Sequence, residues 1–156
     1  MKYYLSLGGN IGDSQAILVG ALDEINRQAG QVERVSSFYR TAPWGFSAVQ
    51  DFVNAAAVVE SPLAPQEMLE KMLEIEKRFG RQRNTPAEGY ASRILDIDIV
   101  FAGNKVVDTS HLKIPHPLAH LRRFVLEPMA EIAPDFIHPA LGKTIRELLA
   151  ECPPEK

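Results

Sequence analysis

Apolar and polar positions alternate along Tyr3-Tyr4-Leu5-Ser6-Leu7, which predicts a short strand running into a tight turn at Gly8-Gly9-Asn10-Ile11-Gly12. Asp13 then suits a helix N-cap or first turn, and Ile17, Leu18, Ala21, Leu22 and Ile25 recur at helical spacing until Gly30. Val32 to Thr41 is β-branched and aromatic and reads as one strand, ended by the loop Ala42-Pro43-Trp44-Gly45. Phe52 to Glu60 predicts another strand. Pro65 opens a helix at a position where proline is tolerated, and the helical period persists to Phe79, with Gly80 as the stop. Arg81 to Ser92 is polar and reads as a loop; Ile94 to Phe101 predicts a strand. Beyond it come a turn at Gly103-Asn104, the stiff connection Ile114-Pro115-His116-Pro117 and weaker helical pieces, one of them introduced by a capping box from Thr144 to Glu147. The order strand, helix, strand, strand, helix, strand predicts an α+β fold of the ferredoxin-like (βαββαβ) kind. Its antiparallel sheet would carry both helices on one face and be followed by a C-terminal extension. One domain spanning 1–156 is expected, and the fold alone assigns no function.

The last of these strands carries the most pointed chemistry. Alternation puts Leu95, Ile97, Ile99 and Phe101 on one face and Ile94, Asp96, Asp98 and Val100 on the other. Two carboxylates two residues apart on a strand lie roughly 6.6 Å apart at Cα and project together. Their repulsion becomes binding if they share a divalent cation, and Mg²⁺ favours one or two carboxylates plus substrate phosphates. A solvated polar face on an edge strand is the bland account of the same pair. Lys77, Arg78, Arg81 and Arg83 place four of the chain's 17 basic residues within seven positions, and Arg93 precedes the first aspartate by three. The helix macrodipole accounts for Lys77 and Arg78. Arg81, Arg83 and Arg93 lie outside the helix and suit phosphate contact. Glu76 shares a helical stripe with Leu69, Met72 and Phe79, so its carboxylate should meet a cation or a ligand hydroxyl, or else snorkel at a rim.

Phe52 and Asn54 share a strand face. An aromatic ring beside an amide with both donor and acceptor suits a flat heterocycle with a hydrogen-bonding edge, although for Phe52 taken alone core packing is the better account. Pro43-Trp44-Gly45 could add a wall. His116, held between two prolines, can present an imidazole accurately. His111, His116 and His120 are clustered, but no cysteine lies nearby and Pro117 disturbs helical spacing, which disfavours zinc. The glycine-rich turn matches neither a dinucleotide fingerprint nor a Walker A loop and reads as structural.

Composition narrows the class. With 156 residues, 46% hydrophobic and 24% charged, and a formal net charge of −3, the chain is an ordinary globular domain and not a general nucleic-acid binder. Its single cysteine, Cys152, excludes a disulfide scaffold. No window approaches the roughly 20 apolar residues of a membrane span, and the N-terminal apolar stretch is broken too early for a signal peptide. A cytoplasmic protein is expected, without nucleic-acid or membrane partners and monomeric.

Taken together, Tyr3 to Asp13, Ser36-Ser37-Phe38-Tyr39-Arg40-Thr41, Phe52-Val53-Asn54-Ala55-Ala56, Gly80-Arg81, Arg93-Ile94-Leu95-Asp96-Ile97-Asp98-Ile99 and Ile114-Pro115-His116-Pro117 resemble the hydroxymethyldihydropterin pyrophosphokinase family of the folate pathway. The resemblance runs to about Pro134. It implies transfer of a diphosphate unit from ATP to the hydroxymethyl group of 6-hydroxymethyl-7,8-dihydropterin, with AMP released. On that resemblance Asp96 and Asp98 would hold two Mg²⁺ ions, and Arg81 and Arg93 would act on the transferred phosphates. Glu76, Arg83, Ile99, His116 and Arg122 match ATP-contacting positions. Phe52 and Phe124 would sandwich the pterin, while Asn54 reads its edge with Thr41 and the backbone around Pro43 and Trp44. The chain departs from many relatives in Glu88-Gly89-Tyr90-Ala91-Ser92, where a Trp-Gly-Pro is common, and in Leu73 and Lys113, where some relatives place polar nucleotide contacts. Two rival classes remain open from the residues: a Mg²⁺-dependent nucleotidyl transferase, and a non-catalytic small-ligand module on the same fold.

Overall fold

A computed structural model describes residues 1–41, 51–80 and 94–153. Its elements run β1 (Lys2–Gly9), α1 (Ser14–Gln28), β2 (Gln31–Val35), β3 (Tyr39–Thr41), β4 (Phe52–Glu60), α2 (Pro65–Arg78), β5 (Asp96–Ala102), β6 (Val107–Asp108), β7 (Lys113–Ile114), α3 (Arg123–Ile132) and α4 (Ile145–Glu151), with a 3₁₀ turn at Ala119–Leu121. Strands β2, β4, β1 and β5 form an antiparallel sheet in that order, and β3 also pairs with β4. Among the described residues the strand edges are therefore β2 with β3 on one side and β5 on the other.

Local chemistry explains the helix starts. Asp13 caps α1 by accepting the Ala16 N–H at 3.2 Å, and Pro65 occupies the first turn of α2, where its missing N–H is no loss. Gly80 ends α2 with φ +91°, a conformation that disfavours a side chain. Leu18, Ala21 and Ile25 of α1 and Met68, Met72 and Ile75 of α2 pack on Tyr3, Leu5, Leu7, Val53, Val59, Ile97 and Ile99, all buried. This is the face expected for both helices.

Four details differ from the sequence expectation, each for a local reason. β1 continues through Gly9, so Gly8 is a sheet residue and not part of the turn. The expected strand from Val32 to Thr41 is two strands. Between them Ser36 takes over the ladder: its N–H donates to the Ala56 carbonyl at 2.9 Å, and its Oγ accepts from Ala56 N–H at 2.8 Å. Ser37 is thereby turned outward.

The third difference is in β5. Leu5 pairs with Ile99 and Tyr4 with Phe101, leaving Val100 as an inserted residue. A bulge of this kind breaks the two-residue alternation, so Phe101 leaves the Leu95, Ile97 and Ile99 stripe and joins Val100 on the opposite face. There its ring meets Phe136 at 4.7 Å and Tyr4 at 6.0 Å between centroids.

Finally, the C-terminal segment covers the second sheet face. Val125, Leu126, Met129 and Ile132 of α3 and Ile145 and Leu148 of α4 bury Ala56, Val58, Val100 and Phe101. Helices thus lie on both faces of the sheet. No helix among the described residues is long and apolar enough to cross a membrane.

Candidate active site

The second core covers only part of its sheet face. Toward the other end of the same face the inward positions turn polar, and strand register brings them into rows. Asn54 of β4 is opposite Gly8 of β1, and Gly8 is opposite Asp96 of β5. In the next row Ala56 faces Ser6, and Ser6 faces Asp98. Neighbouring strands are about 4.8 Å apart, so Asn54 and Asp96 are separated by about 10 Å with a glycine between them. Asp96 and Asp98 are half-buried, whereas Ser6 and Asn54 are buried.

Gly8 is required by this packing. A Cβ there would lie 2.5 Å from Asn54 Oδ1, so the Asn54 amide rests directly over the glycine. Beside Asn54, Thr41 pairs with Phe52, and Tyr39 pairs with Asn54. Phe52, half-buried, shares the Asn54 side of the strand, while Val53 between them is fully buried in the first core.

Glu76 reaches the aspartate pair from behind. It is 1% exposed, and its Oε2 accepts the N–H of Ile97 at 2.7 Å. Ile97 lies between Asp96 and Asp98, and its N–H points outward from the edge strand. The carboxylate therefore meets a main-chain donor here, a partner not considered from the sequence. Ile99 sends its side chain into the first core, so contact with a ligand would have to come from its main chain.

The Pro-His-Pro loop is tied to the same strand. His116 N–H donates to the Val100 carbonyl at 3.0 Å, the carbonyl of the bulge residue. Its Nδ1 accepts the Leu118 N–H at 3.2 Å, which assigns the ring proton of the neutral form to Nε2. Burial, and then the Arg122 guanidinium, hold the His116 pKa below its usual value, while Asp96 pulls it the other way. His116, Arg122 and Asp96 are electrostatic neighbours. The Arg122 guanidinium carbon is 5.7 Å from the Phe124 ring centroid, and Phe124 is in the first turn of α3.

The structure thus brings together Thr41, Phe52 and Asn54 on one side and Asp96, Asp98, His116 and Arg122 on the other. Arg81, Arg83, Arg93, Pro43 and Trp44, together with Tyr90, lie outside the described residues. Among the described residues no group of three His, Cys, Asp or Glu side chains is arranged to hold a metal ion, and His111, His116 and His120 form no such cluster. Sequence reasoning missed Gly8, whose role needs the register, and Glu131, which hydrogen-bonds across to Ser37 and Tyr39.

A profile of the 7,8-dihydro-6-hydroxymethylpterin-pyrophosphokinase family matches residues 4–134. A 2-amino-4-hydroxy-6-hydroxymethyldihydropteridine pyrophosphokinase of Synechocystis sp. is 42% identical over 94% of this chain and 74% of its own length. The protein so named in Methylorubrum extorquens is 40% identical over 98% of this chain and 94% of its own. Wild-type Plasmodium falciparum HPPK-DHPS superposes with a TM-score of 0.74 at 17% identity, covering 96% of this chain. This chain spans 44% of that longer one, and the likeness speaks to fold alone. On the profile match and these relatives, the chain belongs to the 7,8-dihydro-6-hydroxymethylpterin pyrophosphokinase family, whose members transfer the pyrophosphoryl group of ATP to hydroxymethyldihydropterin in folate biosynthesis.

Proposed function

We propose that the open end of the second sheet face is where this transfer takes place. The row Asn54, Gly8, Asp96 carries the proposal. It sets an amide able to read a heterocycle edge about 10 Å from an acid able to gather phosphate charge, with only a glycine beneath the space between. Phe52 and Phe124 supply the faces of a slot for the pterin, Asn54 and Thr41 its hydrogen-bonding wall, and the segment around Pro43 and Trp44 a further wall. The hydroxymethyl arm then runs over Gly8 toward Asp96 and Asp98.

Those two carboxylates, paired across the sheet with Gly8 and Ser6, suit a small hard dication that keeps substrate phosphates in its other positions. Two Mg²⁺ held by Asp96 and Asp98 fit this donor set. Bound there, Mg²⁺ would offset triphosphate charge and lower the pKa of the attacking hydroxyl. On the protein's side, neutral His116 donates from Nε2, and Arg122 with Arg81, Arg83 and Arg93 adds guanidinium donors for phosphate oxygens. The Ile99 main chain meets the nucleotide, and Glu76 supports this side by holding the strand that bears the acids. The pterin hydroxyl oxygen attacks the β-phosphorus and gives up its proton to solvent, the bond from that phosphorus to the α,β-bridging oxygen breaks, and AMP leaves. Alignment and electrostatics carry the step, with no dedicated strong base.

The strand order with α1 and α2 together on one face is read as a ferredoxin-like sheet with a C-terminal extension, in a cytoplasmic monomer. Incubating the protein with ATP, Mg²⁺ and 6-hydroxymethyl-7,8-dihydropterin should release AMP in a one-to-one ratio with pterin diphosphate. Release of inorganic pyrophosphate would instead identify a nucleotidyl transferase, and no turnover a binding module.

Gly8→Ala tests the row itself. The nearest atom to the new methyl is the end of the Asn54 side chain, so the amide moves before the backbone does. Pterin affinity is expected to fall about tenfold, roughly the 1.4 kcal/mol of one displaced hydrogen-bonding group. ATP affinity should stay within about twofold; equal losses for both ligands would count against the row.

A further inference from the structure

Glu131, on the last turn of α3, makes more contacts to the neighbouring strands than an exposed helix carboxylate ordinarily does. Its oxygens accept the Ser37 N–H at 3.0 Å, the Ser37 Oγ–H at 3.0 Å and the Tyr39 O–H at 2.7 Å. The acceptor is held in its charged form: the Tyr39 hydroxyl, with help from Ser37, keeps the Glu131 carboxyl below its ordinary pKa. Reciprocally, the hydrogen bond to Glu131, followed by burial, pushes Tyr39 up to about 12. One turn of chain away, Arg34 donates to the Ile132 carbonyl at 2.8 Å. The C-terminal end of α3 is therefore strapped to the stretch that joins β2 to β3.

The other end of the same helix carries Phe124. Seven residues separate Phe124 from Glu131, nearly two full turns, so the two side chains lie on one stripe about 10 Å apart. Pro128 stands between them inside the helix and has no N–H to offer the Phe124 carbonyl, which weakens the first turn's own hold on Phe124. The stretch that Glu131 grips continues in register with the opposing wall: Tyr39 pairs with Asn54, and Thr41 with Phe52. A carboxylate on α3 thus spans to the strand pair that bears the other half of the ring slot.

We propose that Glu131 is a positioning residue for the flat-ring substrate: through Ser37 and Tyr39 it sets the distance between Phe124 on α3 and the Phe52, Asn54 and Thr41 wall. The inference rests on the assignment of those four residues to the pterin pocket. It predicts an effect on one substrate only, because the aspartate pair is on β5, away from this strap.

Full-length protein carrying Glu131→Ala should bind 6-hydroxymethyl-7,8-dihydropterin about tenfold more weakly by pterin fluorescence, with a non-hydrolysable ATP analogue bound within about twofold of wild type. Glu131→Gln keeps an acceptor and should recover most of the affinity. Glu147→Ala, which removes the capping box of α4, serves as a control for general loosening. It should lower Tm comparably and leave pterin affinity alone. The variant joining Glu131→Ala to Phe124→Ala should bind pterin no more weakly than Phe124→Ala, since a residue acting through Phe124 has nothing left to position. Additive losses, equal losses for pterin and the ATP analogue, or an unchanged pterin affinity in Glu131→Ala would each overturn the proposal. An undiminished affinity in Phe124→Ala would overturn the pocket assignment beneath it, and so separates the two failures.

Discussion

Asp96→Asn and Asp98→Asn are each expected to lower the rate of diphosphate transfer by on the order of 10³-fold, equivalent to about 4 kcal/mol of lost transition-state stabilisation. The size follows from the task assigned to the pair. The triphosphate and the hydroxyl bring only negative or developing negative charge to a face whose own strand residues are acids, so the step depends on cations gathered there. Asparagine keeps the volume and a carbonyl acceptor but not the charge, and either variant should lose most of its affinity for Mn²⁺ used as a paramagnetic probe. The fold should be little affected. Both side chains are half-buried at the sheet's edge, and the core stripe Leu95, Ile97 and Ile99 is untouched. A Tm within about 3 °C of wild type is expected, a shift of about 1 kcal/mol or less for a domain of this length. Transfer within tenfold of wild type in both variants would remove the aspartates from the chemistry.

How much of this was legible in the sequence depends on whether the information was local. The helix starts at Asp13 and Pro65, the stop at Gly80 and the acidic strand were legible because a cap, a fixed φ or a two-residue alternation is written into a few neighbouring side chains. The face of Phe101 was not. Alternation assigns it to the Ile97 and Ile99 stripe, but the inserted Val100 is defined only by what β1 places opposite, and no feature of Ile99-Val100-Phe101 announces it. The break at Ser36 has the same origin, since a serine takes over a ladder position only when Ala56 is across from it. Within the site, the separate pieces Phe52 with Asn54 and Asp96 with Asp98 were each visible as pairs on one strand. Their relation was not, because the residue that joins them is Gly8, and a glycine at the end of a strand looks like the start of a turn. Glu131 lay beyond reach for the converse reason: nothing in its own neighbourhood distinguishes it from any exposed helix glutamate, and its partners are more than ninety residues earlier.

Glu76→Leu and Glu76→Gln are expected to diverge, and the divergence decides what a buried carboxylate is doing behind the aspartates. At 1% exposure a carboxylate is costly to bury unless it is well hydrogen-bonded, and here it accepts the one main-chain N–H that stands between Asp96 and Asp98. That N–H faces outward from the edge strand, where no further ladder partner exists among the described residues. Leucine, close in volume, leaves it without this acceptor, at a cost of about 1–3 kcal/mol, part of which is offset because a buried charge has been removed. The strand between the acids is then free to shift, and by analogy with outer-shell metal-site residues transfer should fall about 10–100-fold, with weaker Mn²⁺ binding. Glutamine still presents a carbonyl oxygen to Ile97. If the contribution of Glu76 is to hold the strand, Glu76→Gln should transfer within about fivefold of wild type and bind Mn²⁺ almost normally, since only the charge-assisted part of the bond is lost. A glutamine variant that folds with a wild-type Tm but is as slow as the leucine variant would mean that the negative charge itself is needed by nucleotide or cation, and the supporting role assigned to Glu76 would be wrong.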